Sequence, residues 1–336
     1  MGVRSTCGWC EVEGCPIAWE ESSADKDAQP VLCLHTAGTG SREFRPLLDC
    51  CPAGSRLILL DWPGHGRSGD TTREDSETAP AFTVESCSAI LSSLLNQLGI
   101  GRPILLGSGF GAAVAIRYAS DHPDQVLGLV LCLPAGLVST SGVDPFSQSG
   151  KRGIGRLLRR MKKSAPGNTA KETAIAARRQ ALRMEALHPA MQSIRAIAKD
   201  SADRTSTSLR KALDSLSCPA FFALSHGSRE YPLRKYLALL DPSLAWAPQH
   251  QFTVFAGAFH PLWDEPERFA LALSSFVQAQ LPVERHTHAW MIHAVDWPVK
   301  DNNLWKCVHP DCATEQVLAA GLNANERASG IQHRQD

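Results

Sequence analysis

The stretch Leu105-Leu106-Gly107-Ser108-Gly109-Phe110-Gly111-Ala112-Ala113 limits what this chain can fold into more than any other. The apolar run Pro103 to Leu106 predicts a buried strand, and the Ala-rich run Ala112 to Ser120 predicts a helix that follows at once. A turn that abrupt forces strand and helix together, so the positions two before and two after its apex must be small, as in the G-x-S-x-G elbow. Gly107 and Gly111 meet that spacing and put Gly109 at the apex. A register centred on Ser108 would place Leu106 and Phe110 where small residues are required. The nucleophile position of the elbow is therefore read as glycine.

The chain around this turn alternates strands and helices. Glu11 to Glu20 reads as a hairpin about Gly14, and Val31-Leu32-Cys33-Leu34-His35 and Leu57-Ile58-Leu59-Leu60-Asp61 read as buried strands joined by a helical segment near Phe44 to Leu48. From Thr83, a candidate N-cap, the apolar positions Cys87, Ile90, Leu91, Leu94, Leu95 and Leu98 follow helical spacing up to Gly99. Val126 to Leu133 is a further strand. The pattern resumes at Pro219 to Ser225 and Phe252 to Phe255, and a last helix runs from Pro266 to about Gln280. Such alternation implies a mostly parallel sheet flanked by helices, with ligands expected at the carboxyl ends of its strands.

Between 135 and 217 the alternation stops. Lys151, Arg152, Arg156, Arg159, Arg160, Lys162, Lys163, Lys171, Arg178, Arg179 and Arg183 face only Glu172 over their span, so this segment reads as a basic helical cap inserted into the core. The expected organisation is a core in two parts, 1–134 and 218–283, with the cap at 135–217 and a poorly ordered tail at 284–336. As a whole the chain carries no net charge, which removes any general electrostatic case for nucleic acid. No apolar run is long enough to span a bilayer. A soluble, cytoplasmic protein with no membrane partner is expected. The 11 cysteines are scattered between core and loops, which suits reduced thiols.

Two metal-like spacings occur. Cys7-x-x-Cys10 lacks the βαβ context of a redox motif, and Cys307-x-His309-x-x-Cys312 matches no standard zinc finger. No metal and no cofactor is expected.

Five segments in order carry a resemblance. Leu34-His35-Thr36-Ala37-Gly38, Asp61-Trp62-Pro63-Gly64-His65-Gly66-Arg67-Ser68, the elbow, Gly227-Ser228-Arg229-Glu230 and Gly257-Ala258-Phe259-His260 together resemble the α/β-hydrolase fold superfamily over Glu11 to Leu281, near its esterase-like and carbon–carbon-bond hydrolase branches. The resemblance implies His260 as the base and Glu230 as the acid that orients it. It implies Phe110 and Ala37 as oxyanion donors, with His35, Ser108 and Phe259 lining the substrate site. Gly109 cannot form a covalent intermediate. Losing a triad nucleophile costs on the order of 10⁶ in turnover, roughly 8 kcal/mol of barrier. A serine-esterase mechanism is therefore excluded, as are the aspartate-nucleophile routes of dehalogenases and epoxide hydrolases. Two readings stay open. One is a hydrolase acting on a small ester, lactone or carbonyl substrate by a noncovalent route through His260 and Glu230. The other is an inactive pseudo-hydrolase that binds a small ligand or a protein partner.

Overall fold

The computed structural model describes residues 5–12, 14–22, 27–37, 39–50, 55–69, 83–138, 208–228, 233–239, 250–256 and 260–281, together with four short strands beyond them. The chain divides into two compact units, Met1–Cys51 with Ser55–Phe269, and Pro52–Gly54 with Ala270–Asp336.

The first unit is built on an eight-stranded sheet. Its strands are β1 (Ser5–Val12), β2 (Cys15–Ser22), β3 (Gln29–Leu34), β4 (Ser55–Leu60), β5 (Ile104–Ser108), β6 (Gly128–Cys132), β7 (Ala220–Ser225) and β8 (Gln251–Phe255), in the spatial order β1-β2-β4-β3-β5-β6-β7-β8. β1 and β2 form the expected hairpin, turning at Gly14 with φ 75°, and β2 runs antiparallel to β4. From β4 to β8 every pairing is parallel. Every residue of β5, β6 and β7 is buried, as befits strands covered on both faces. The order reverses between β3 and β5, so the loops leaving their carboxyl ends flank a topological switch point.

Short helices α1 (Arg45–Asp49), α4 (Leu233–Leu239) and α5 (Pro261–Asp264) and longer ones α2 (Val84–Gln97), α3 (Phe110–Asp121) and α6 (Pro266–Gln280) accompany the sheet, and residues 208–214 are also helical. α2 begins where the sequence places it: the Thr83 hydroxyl accepts from Ser86 N, and the Ser86 hydroxyl accepts from Thr83 N. That reciprocal pair satisfies two of the donors left over at a helix start. Cys87, Ile90, Leu91, Leu94 and Leu95 form its buried face. The predicted helical segment between β3 and β4 is a 3₁₀ turn, Ser41–Phe44, leading into α1. Of the cap, residues 139–207 lie outside the described residues, while Leu209, Ala212, Leu213 and Leu216 at its return are core. Cys7 is exposed and Cys10 buried three positions on, so strand alternation sends this C-x-x-C pair to opposite faces.

The second unit holds a four-stranded antiparallel sheet, β9 (Trp290–Ile292), β10 (Asn302–Cys307), β11 (Glu315–Ala319) and β12 (Gln332–Arg334), in the order β12-β11-β10-β9. The sequence suggests no strand here, because none of these segments shows a clean alternation. His309 and Cys312 lie outside the described residues. Among the described residues, no helix is long and apolar enough to cross a membrane.

The crossing of α3 over the sheet is the tightest constraint. A methyl group on Gly111 would run into the Leu34 carbonyl, and one on Gly107 would run into the Ala112 backbone. These are backbone obstacles that no rotamer relieves. Gly111→Ala is expected to lose about 1–3 kcal/mol of stability, as overpacking does. Gly101→Ala, whose new methyl meets nothing within 4 Å, serves as the control and should stay within about 0.5 kcal/mol. Urea denaturation midpoints of the two variants against the native chain check this.

Candidate active site

The elbow has the predicted geometry. Gly109 lies between β5 and α3 with φ 53° and ψ −110°, a conformation that L side chains rarely adopt. Its N–H donates to the Cys132 carbonyl at 3.0 Å, and its own carbonyl accepts from Ala135 N at 3.0 Å. The turn is thus tied to the end of β6, the strand beside β5, where Ser108 and Cys132 are register partners.

A carboxylate that the sequence reading passes over sits at the centre of the site. Glu43, in the 3₁₀ turn after β3, is 1% exposed. Its Oε2 accepts from Thr36 N at 2.9 Å and from the Thr39 hydroxyl at 2.8 Å. Its Oε1 accepts from the Ser108 hydroxyl at 2.6 Å and lies 3.4 Å from His260 Nε2. His260 Nε2 is also 3.0 Å from Ser108 Oγ. The hydroxyl proton is committed to Glu43, and the role of Nε2 across the Ser108 contact is set by the tautomer of the imidazole. The His260 backbone is fixed as the N-cap of α5, its N–H donating to Asp264 Oδ2 at 3.0 Å. Cys132 Sγ lies 3.7 Å from Nε2 and 3.9 Å from Nδ1. Burial, reinforced by the charge on Glu43, holds this thiol well above its ordinary range.

The structure brings Ser108 and His260 together beside Gly109, with Glu43, Thr36, Cys132 and Asp264 around them. Ser108 proves to be a bridge between acid and imidazole, with 1% of its surface exposed. Phe110 N donates to Thr36 Oγ1 at 3.1 Å. Ala37 is half-buried in the adjoining turn, which Thr39 N closes onto the Thr36 carbonyl at 3.2 Å.

His35 corrects the expectation of a substrate contact. It is fully buried, its Nε2 accepts from Trp62 N at 3.0 Å, and its Nδ1 lies 2.8 Å from the Thr36 carbonyl. Both nitrogens serve the protein, and the ring pins the loop after β3 to the loop after β4. Asp61 does parallel work, accepting from Ser41 N at 2.6 Å and from Arg67 N at 3.1 Å, while its carbonyl accepts from the Ser68 hydroxyl at 2.6 Å. Gly66, at φ 54°, is required there because a side chain would strike the Asp61 carboxylate. The Asp61-to-Ser68 motif is thus a brace behind the site. Glu230 and Phe259 lie outside the described residues. Among those described, no group of three or more His, Cys, Asp or Glu side chains is arranged to hold a metal ion.

The buried thiols yield a pH prediction. Burial raises the pKa of both Cys132 and Cys87, so above about pH 8.5, the ordinary thiol value, the folded chain keeps protons that the unfolded chain gives up. Stability is expected to fall as pH rises beyond that point. In parallel, iodoacetamide at pH 8 should label exposed Cys7 in the native protein and reach Cys132 and Cys87 only in denaturant, as read by peptide mass spectrometry.

Comparison with known proteins agrees with this architecture. Residues 29–157 match a family model described as the alpha/beta hydrolase fold. A proline iminopeptidase of Neisseria gonorrhoeae is 32% identical over 117 residues, covering 34% of this chain and 35% of that one. A 2-hydroxy-6-oxononadienedioate/2-hydroxy-6-oxononatrienedioate hydrolase of Pseudomonas putida is 34% identical over 134 residues, covering 38% and 42%. The match thus spans well under half the length of these relatives. Among solved structures, the enol-lactonase from Burkholderia xenovorans superposes with a TM-score of 0.61 at 16% identity, covering 80% of this chain and 99% of that one. A thermophilic esterase from Thermogutta terrifontis gives 0.59 at 22% identity, covering 82% and 99%. With its parallel sheet, its elbow and its loops at the switch point, the chain has the α/β-hydrolase fold, and its residues 29–157 match that family's model.

Proposed function

We propose that this protein is a hydrolase-type enzyme for a small neutral ester, lactone or related carbonyl compound, in which water takes the place of the serine nucleophile. The reading is carried by one observation: Glu43 Oε1, Ser108 Oγ and His260 Nε2 lie within 3.4 Å of one another beside the glycine of the elbow. The relatives named as hydrolases, esterase and lactonase support the substrate class.

The chemistry follows from the relative strength of the contacts. The Ser108–Glu43 bond, at 2.6 Å to a carboxylate, is the stronger, so a substrate water displaces Ser108 at His260 rather than at Glu43. With its proton on Nδ1, the imidazole accepts a proton from that water at Nε2 as the water oxygen bonds to the acyl carbon. The imidazolium formed is balanced by Glu43 Oε1 at 3.4 Å. The tetrahedral oxyanion is held on the Phe110 side of the cleft and then collapses. The leaving oxygen takes the proton back from the imidazolium. Such a site works without covalent catalysis, and triad enzymes stripped of their nucleophile keep about 10³ over water.

A second reading, a non-catalytic ligand-binding member, is favoured by the mutual bonding of the polar groups: Ser108 occupies Nε2, and Thr36 occupies the Phe110 amide. Turnover of p-nitrophenyl acetate and small lactones separates the two. The enzymatic reading expects slow hydrolysis that falls at least about tenfold in His260→Ala, the low end for loss of an acid–base group. Equal rates in both proteins, with saturable ligand binding, select the second. Gly109→Ser is expected to gain covalent esterase activity, detected as a burst of p-nitrophenol, at a cost of about 1–3 kcal/mol for a side chain in that backbone conformation.

A further inference from the structure

Resting on the hydrolytic reading above, we propose that the Thr36 hydroxyl, rather than the Phe110 amide itself, is the donor that meets the acyl oxygen of a bound ligand. Phe110 N, in the first turn of α3, donates to Thr36 Oγ1 at 3.1 Å, so an atom of the protein already stands where an oxyanion would accept. A hydroxyl carries one proton besides its acceptor lone pairs, so accepting from the amide leaves that proton to point onward. Thr36 is half-exposed between buried His35 and buried Thr39, on the lip of the loop. It is also held on both sides: its N–H donates to Glu43 Oε2 at 2.9 Å, and its carbonyl accepts from Thr39 N at 3.2 Å. Only its side chain is left to meet a ligand.

Two physical consequences favour this role. The amide at the start of α3 sits at the positive end of the helix, and a hydroxyl that accepts from it becomes a better donor in turn. The donor is also moved outward by one hydrogen-bond length, about 3 Å. An acyl group docked on it stands correspondingly farther from the elbow, which makes room for a water between the acyl carbon and Gly109. Serine at the elbow would need the acyl group close to the backbone. Glycine with Thr36 suits a longer reach.

Hexanamide is a suitable probe, being a neutral carbonyl acceptor without a leaving group for rapid hydrolysis. It is titrated into the full ¹⁵N-labelled chain while the Thr36 and Phe110 amide resonances are followed. Thr36→Val removes the hydroxyl at nearly constant size and is expected to weaken binding about tenfold, the value of one hydrogen bond. Thr36→Ser keeps the hydroxyl and is expected to bind within about twofold of the native chain, which also shows that the loop still folds. Equal or tighter binding by Thr36→Val overturns the assignment and makes the hydroxyl a plug, as does absence of binding by the native chain at the solubility limit. Ester turnover in the same three proteins keeps the two claims apart: hexanamide binding lost only in Thr36→Val, with no turnover in any, upholds the donor and removes the catalytic reading.

Discussion

The interaction on which the site depends is the burial of the Glu43 carboxylate. An isolated charge taken out of water costs several kcal/mol, so it persists inside a fold only when hydrogen bonds surround it. Here the donors come from separate segments, Thr36 and Thr39 after β3 and Ser108 at the end of β5, with His260 after β8 close by. Each would lose a charge-assisted partner if the acid moved. The carboxylate therefore sets the relative positions of the loops around the switch point, and the imidazole is placed as part of the same arrangement.

The elbow solves a different problem, one of space. Gly107 and Gly111 let the α3 backbone approach β5 and the carbonyl of Leu34, and Gly109 takes up the left-handed turn between them. A serine at that apex is held in a strained conformation, whereas glycine adopts it freely. At Gly109 the turn is therefore relaxed, and the polar side chains of Ser108, Glu43 and His260 gather beside it.

What could be read from the sequence follows from which forces are local. Strand runs, the Thr83 cap, the Gly107/Gly111 spacing and the elbow register all depend on near neighbours, and each is legible in the chain. Glu43 is not, because Ser-Arg-Glu-Phe in a short turn looks like any exposed loop, and half of the partners that make its burial tolerable, Ser108 and His260, are distant in sequence. The Ser108 hydroxyl at the end of β5 bonds Glu43 and lies against His260, a pairing that depends on residues far off in the sequence. His35 misleads: a histidine at a strand end suggests chemistry, whereas its nitrogens fasten Trp62 and the loop after β3. The strands beyond Leu281 left no trace in the hydrophobic pattern, since three- to six-residue segments are too short for a period to emerge.

The fixed charge on Glu43 bears on the end of a catalytic cycle as well as its beginning. Hydrolysis of a neutral ester or lactone leaves a carboxylate in the cleft, beside a carboxylate that is already there and cannot move away. Like charges held close in a site shielded from water repel. On the hydrolytic reading, a neutral substrate would feel none of this and an acidic product would. An enzyme built around such an acid would be hard to inhibit with its own acidic product, and the expulsion step would draw on the same burial that holds the loops together.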